Sequence, residues 1–554
     1  MATKTANRPA AGTVPMAPEA TELRPARVWW RTYLHHLRLL RNGAIAWIAG
    51  LAGIGWGVAA TFDLRHGTEE ELQALAAMEG IPAFEALMGR YVAPHTVEGL
   101  VLSRWGWFGI FAAIWGMLAA AKLLRGAEEA GHVEPLRAGA ITPRGLLGSA
   151  LAALFTTHVI FMVAIGLGHT AGGMDPATSW ATGGAAALLA ASFAAGTALA
   201  SQLAASRRRA VGMVGAALGL ALVLRVAAAA TATPDWMWWT TPFGWIGFLH
   251  EIDQARGWVF LGFGLLLAVL LVAAFATARR DLHAGVLGGE SEVARRKSRA
   301  TGGDMGLAIR LTAAPARTWG LIVGIVALVF GLLTRDLAEA AAELPTTAEV
   351  VEQMGMVGLD TPEGIIAWAL AMFAALLLTI FVAGQVAAIR DEEASWRIEH
   401  LLARPIGRMR WLTNRVAAIA AAVVAIALAA GIVAWLATVV IGVPIAFTDG
   451  LLAAVNMVPV ALLVLGIGVG LFGLLPRLTV PLTYGLVIVA FLLDFVGGLL
   501  ELPEWLLDLS PFRHIAAVPV VEIDAIPALI MLAGGLVGAI VGTIAFRRRD
   551  LQEA

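Results

Sequence analysis

The side chains in this chain best suited to chemistry are acidic and basic groups set close together at two places. One run, Ala127 to Arg144, reads AEEAGHVEPLRAGAITPR, and the other, Asp391 to Arg410, reads DEEASWRIEHLLARPIGRMR. Each opens on paired glutamates, Glu128-Glu129 and Glu392-Glu393, and carries a further one, Glu134 or Glu399. A leucine-containing turn follows, then Pro143 or Pro405 and a basic exit; Arg404 stands just before the second proline. Carboxylates and guanidiniums so arranged make charge-assisted hydrogen bonds. That chemistry is recognition. A helix here would be acidic on one side and apolar on the other, lying against a membrane and open to a partner. The alternative is a capped, solvated connection.

Signatures of catalysis are missing. Gly-Lys-Ser/Thr occurs nowhere, so the chain has no phosphate loop and is not expected to hydrolyse ATP or to act as an enzyme by itself. Gly468, Gly470 and Gly473 match GxGxxG, but no strand precedes them, and close helix packing is the better reading. Neither HExxH nor a spaced histidine cluster exists, so no metal site is expected, and His35-His36 sits on a basic surface stretch. Cysteine is absent, which removes disulfides, thiolate ligands and cysteine nucleophiles together. A net charge of −1 gives no electrostatic case for nucleic acid.

The elements that must position these residues are membrane helices. The 554 residues are 59% hydrophobic and only 14% charged, with a mean hydropathy of +0.78, which predicts an all-α integral membrane protein. Crossing the hydrocarbon core takes an apolar run of about 20 residues. The first half offers six, at about 44–62, 105–121, 146–168, 178–203, 211–230 and 258–278. The second offers six more, at about 318–334, 364–389, 412–441, 450–475, 479–499 and 526–546. Every second loop is basic, which places both termini in the cytoplasm. Six spans return the chain to its starting side, so the architecture expected is two parallel six-helix repeats.

The sequence states that repeat directly. LVLRVAAAATATPDWMWWTTPFGW around Arg225 faces FLLDFVGGLLELPEWLLDLSPFRH around Asp494, with Leu224 and Leu493 269 residues apart. The same offset relates Arg279-Arg280-Asp281 to Arg548-Arg549-Asp550, whereas the paired-glutamate runs echo at a shorter one. The layout expected is a disordered tail over 1–25 without a signal peptide, a first half over 26–282, a cytoplasmic linker over 283–304 and a second half over 305–554. Residues about 27–41 alternate basic and apolar groups and suggest an interfacial amphipathic helix, or else an extension of the first span; a second such segment falls near Met305–Arg310. Within the spans Arg225 and Asp494 occupy the same place in the two repeats, either to pair across the halves or to reach water separately.

At the E-E-A-G/S…E…L-L-A-R-P-I run, the Ser/Thr-Pro-Phe segments and the fused length, the chain resembles permeases of type-two (ABCG-like) bacterial ABC exporters. Among these it looks like the fused, twelve-span exporters of polyketide antibiotics, the tetronasin-type proteins. The resemblance implies coupling helices at Glu128–Thr142 and Glu392–Arg408, in which Glu128, Glu129, Glu134, Glu392, Glu393, Glu399 and Arg404 meet two copies of a separately encoded ATP-binding subunit. ATP and Mg would be held there and none in this chain. It further implies short re-entrant helices before spans six and twelve, residence in the bacterial inner membrane, and efflux of hydrophobic or amphipathic drugs and natural products. The first copy reads PLRAGAITPR where the second reads HLLARPIGR, so the two contacts are expected to be unequal. Trp107, Phe108, Trp368 and Phe373 are candidate cavity residues, with ordinary helix packing as the alternative. Export of a lipid or glycolipid by the same machine, a proton-driven secondary transporter and a membrane scaffold are the competing functions.

Overall fold

The computed structural model describes residues 25–62, 67–77, 79–80, 85, 89–90, 92–137, 141–230, 235–250, 255–278, 285–286, 303–342, 358–395, 398–399, 407–497, 503–521 and 525–550. All regular structure among them is helical. The long helices are α1 (Pro25–Ala60), α2 (Val97–Glu129), α3 (Pro143–Ala171), α4 (Pro176–Leu203), α5 (Arg207–Ala230) and α6 (Ala255–Thr277) in the first half. Those of the second are α7 (Gly303–Ala342), α8 (Pro362–Ala394), α9 (Arg408–Val440), α10 (Phe447–Leu474), α11 (Thr479–Gly497) and α12 (Ala525–Arg548). Eleven are long and apolar enough to cross a membrane, and in α11 the shorter apolar stretch Thr479–Asp494 occupies the remaining place. The chain is an all-α, multi-pass membrane protein, and each expected span has its helix.

Local chemistry sets the helix ends. Thr142, Asp175 and Thr361 cap α3, α4 and α8, accepting from Gly145 N at 3.0 Å, Thr178 N at 2.8 Å and Gly364 N at 3.2 Å. A proline follows each cap, where its missing N–H costs nothing. Gly173 (φ +98°) and Gly442 (φ +70°) stop α3 and α9 in the left-handed conformation that glycine tolerates. Matched starts at Pro143 and Arg408 lie 265 residues apart, and these matched stops lie 269 apart. The reason is length: α3 has 29 residues and α9 has 33, a difference of about one turn. The two offsets in the sequence therefore belong to one repeat with a lengthened third helix.

The basic stretch over 27–41 is no separate interfacial helix. It continues without a break into the first span as α1, 36 residues long, and Met305–Arg310 likewise begins the 40-residue α7. At 1.5 Å per residue each is about 54–60 Å long, well beyond a hydrocarbon core of about 30 Å. In α1 apolar and basic residues share one helical period, and α7 runs on through an internal Pro315 without ending.

Contacts divide the chain into two compact units. One comprises Met1–Arg65, Arg104–Ala221 and Pro242–Ser291; the other comprises His66–Ser103, Leu222–Thr241 and Glu292–Ala554. In the second, α10 and α12 meet backbone to backbone. A Cβ on Gly535 would lie 2.6 Å from the Leu462 carbonyl oxygen, and one on Gly538 would lie 2.6 Å from that of Gly466. Glycines of the GxGxxG run are packing surface, as their place inside a span predicts.

Candidate functional site

The charged turns at the ends of α2 and α8 hold the best-defined polar geometry in the molecule. In the first half α2 passes through a π-helical turn, Lys122–Gly126, before Ala127–Glu129. This turn brings Arg125 inward. Its Nη1 lies 2.8 Å from Glu128 Oε1, both side chains at 5% exposure or less. Nε (2.9 Å) and Nη2 of Arg125 both donate to the Ala204 carbonyl at the end of α4. That carbonyl follows the last turn of a helix, where partial negative charge suits a cation. Glu129 turns outward and accepts from Arg207 N at 2.6 Å, at the start of α5. One short turn thereby ties α2 to α4 and α5.

The second half builds the same device with more charge. Arg390 Nη1 lies 3.1 Å from Glu393 Oε2, again across three residues of one helix. Arg549, in the C-terminal turn after α12, grips Glu393 with both terminal nitrogens, at 2.5 Å to Oε1 and 2.9 Å to Oε2. The same guanidinium donates to the Phe472 carbonyl at 3.0 Å and packs 5.1 and 5.2 Å from the rings of Phe472 and Phe546. Arg408 Nη1 donates to the Arg549 carbonyl at 2.8 Å, drawing in the start of α9. Beside this cluster, Arg415 Nη2 of α9 pairs with Glu392 Oε1 at 3.0 Å, with the arginine side chain 3% exposed. A forked pair in a largely dry setting is directional as well as strong. Burial of α8's terminal charge thus joins it to α9, α10 and α12.

These contacts correct the register of the repeat. Reading the glutamate pairs side by side equates Glu128 with Glu392. The structure equates Glu128 (4% exposed) with Glu393 (1%), each with an arginine three residues earlier, at an offset of 265. The same offset matches buried positions along α3 and α9: Leu147 with Leu412, Leu154 with Ile419, Ile165 with Ala430. In this register Glu392 and Arg415 stand opposite Ala127 and Ala150. Spacing in the sequence missed Arg125, Arg390, Arg415 and Arg549. The i to i+3 spacing of the first two glutamate partners was available as a signal; Arg415 and Arg549 are distant in sequence from their partners and carried none.

Other expected residues scatter. Glu134 and Glu399 are exposed, and Arg404 lies outside the described residues. Trp368 and Phe373 join Phe330 in an aromatic trio, with centroids 5.3–5.8 Å apart and Phe330 stacked on Phe373. Phe108 meets Trp105 edge-on at 5.8 Å, and Trp107 is half-buried. Arg225 is buried at 4% exposure. Asp494 is half-buried, with Arg513 and His514 near enough to act on its charge, and no ion pair joins it to Arg225 among the described residues. Short helices, Pro242–Gly247 and Glu504–Leu507, stand ahead of α6 and α12. In the repeated Ser/Thr-Pro-Phe motif both phenylalanines, Phe243 and Phe512, are buried.

The family model for the C-terminal domain of the multidrug efflux system permease Rv1217c matches residues 35–279 and again residues 302–547. The chain belongs to this family. It is 30% identical over 491 residues to the multidrug efflux system permease protein Rv1217c of Mycobacterium tuberculosis, a match covering 86% of this chain and 87% of that one. One model fitting both halves accords with the internal duplication. This permease is a multi-pass transport protein and not an enzyme.

Proposed function

We propose that this permease is the membrane subunit of an ATP-driven exporter of the type-two ABC class, of the tetronasin kind, in the bacterial inner membrane with both termini cytoplasmic. Two copies of a separately encoded ATP-binding subunit dock on the turns after α2 and α8 and hold the ATP and Mg. The chain supplies no phosphate loop of its own. Its substrates are hydrophobic or amphipathic drugs and natural products, in keeping with a family named for multidrug efflux and with apolar walls.

One observation carries this reading: the buried Arg-x-x-Glu pair recurs at the same place in both halves, each time anchored to other helices of its own unit. A push on the turn cannot be absorbed locally. Displacing Glu393 means displacing Arg549 and the base of α12, or leaving buried charges unpaired, which costs roughly 3–5 kcal/mol. Displacing Glu129 likewise disturbs the start of α5. Force from a closing pair of motors therefore reaches several helices at once, and the bundles rock to expose substrate outward.

The test is co-purification with the ATP-binding subunit, followed by reconstitution in liposomes. ATP-dependent accumulation of a hydrophobic dye, and its loss in Glu393→Lys with the complex still assembled, are the expected results. Accumulation driven by a proton gradient without nucleotide would overturn the proposal.

A further inference from the structure

The first unit carries a polar line through its core that the second lacks. In α3, His158 (3% exposed) and His169 (0%) lie 11 residues apart, about three turns, on one face. Between them Phe161 is wholly buried, and α2 supplies Trp115 and Trp105 on the facing side. The rings form a chain of edge contacts: His158 to Trp115 at 5.1 Å, Trp115 to Phe161 at 5.4 Å, Phe161 to Trp105 and Trp105 to His169 at 6.2 Å each. Nε2 of His158, both ring nitrogens of His169 and Nε1 of Trp105 have no hydrogen-bond partner among the described residues. In the 265 register the second unit has Val423, Ile426 and Leu370 at the places of His158, Phe161 and Trp105, all buried and aliphatic. At the matched helix stops, 269 apart, His169 faces Thr438, which is buried and donates to the Trp435 carbonyl at 2.8 Å.

A merely structural core does not need such groups. The counterparts in the second unit fill the equivalent space with aliphatic groups and a hydroxyl that has its partner, whereas each unpaired buried polar group costs about 1–3 kcal/mol. Intramembrane ionisable residues at that cost mark working positions. The backbone of α1 comes close over His169. A Cβ on Gly55 of α1 would lie 2.7 Å from its Nε2, and one on Gly172 would lie 2.6 Å from Ala59 Cβ, so the α1–α3 seam rests on glycine and alanine.

We propose that the His158–Trp105–His169 face of α3 and α2 is a recognition site for planar aromatic molecules bearing hydrogen-bonding groups, reached by parting α1 from α3. Tryptophan and phenylalanine edges receive the ring system. A neutral imidazole offers one donor and one acceptor, so the two histidines read a hydroxyl or carbonyl on either end of it. Polar discrimination then resides in the first half, and the second contributes only apolar bulk. The site deepens the exporter reading and rests on it, but binding requires neither nucleotide nor a motor.

The experiment is equilibrium binding of 1,4-dihydroxyanthraquinone and of anthracene to the full-length permease in detergent, without ATP. Wild type is expected to hold the hydroxylated probe about tenfold more tightly, the worth of one net hydrogen bond. His158→Val, which installs the second unit's own residue, and His169→Ala are expected to abolish that preference while leaving anthracene unchanged. His169→Gln, which keeps a donor and an acceptor, is expected to retain most of it. Equal binding of both probes by wild type, or an intact preference in folded His158→Val and His169→Ala proteins, overturns the site. Should those variants fail to fold, the wild-type pair of probes still decides. Failure of ATP-driven transport with the preference intact would instead count against the exporter reading alone.

Discussion

The two charged turns share one design and differ in one pair. Both hold a glutamate buried against an arginine three residues earlier, Arg125–Glu128 and Arg390–Glu393. Only the second adds Glu392–Arg415, where the first has Ala127 and Ala150. Duplicated units are free to diverge wherever a buried ion pair and a pair of small apolar residues are near-equal in free energy, and that near-equality is what buried pairs commonly show. The shared Arg-x-x-Glu is not free in this way, because one member of each pair is also bonded to another helix, Arg125 to the Ala204 carbonyl and Glu393 to Arg549. The pair common to both units lies within one helix, whereas the pair that diverges bridges α8 to α9, with Arg415 also reaching Thr312 of α7 at 3.5 Å.

The largest effect expected from breaking this comparison is at Glu393. Glu393→Lys sets a third cation against Arg390 and Arg549, and thermal unfolding of the purified permease should show destabilisation of about 3–5 kcal/mol. Next come the single changes Glu392→Ala and Arg415→Ala, each leaving one buried charge behind at a cost of about 3 kcal/mol. The double change recreates the alanines of the first half and should cost less than either single one; a double mutant worse than both would show that the pair is essential. Glu129→Lys, at the end of α2, removes the hydrogen bond from Arg207 N and sets a cation against the start of α5, costing about 1 kcal/mol while export in the reconstituted complex falls more than abundance does. Smallest is the exchange Arg225→Asp with Asp494→Arg. Arg513 and His514 are the basic groups acting on Asp494 among the described residues, so the double change should export no better than either single one.

Much of the architecture was legible because lipid imposes length and apolarity on any span, and all twelve helices sit where apolar runs demanded them. The repeat was legible too, from Pro-acidic-Trp and Ser/Thr-Pro-Phe. Its local register was not, since adjacent glutamates are interchangeable as letters and only burial distinguishes Glu392 from Glu393. The anchors were hidden for another reason: Arg549 and Glu393 are 156 residues apart, and no local pattern reports such a contact. His158 and His169 passed unnoticed because a 29-residue helix rich in alanine and leucine reads as a span with or without them.

The glycine faces of α10 and α12 set a limit on how the second half deforms. Backbones in direct van der Waals touch cannot slide without a steric clash or separate without opening a void, so the two helices travel as one strut, with Arg549 as its foot on α8. Spin labels placed on the outer ends of that strut should keep a constant separation throughout a turnover cycle, whichever other distances change. A separation that oscillates with nucleotide would relocate the flexing element to the inside of this pair.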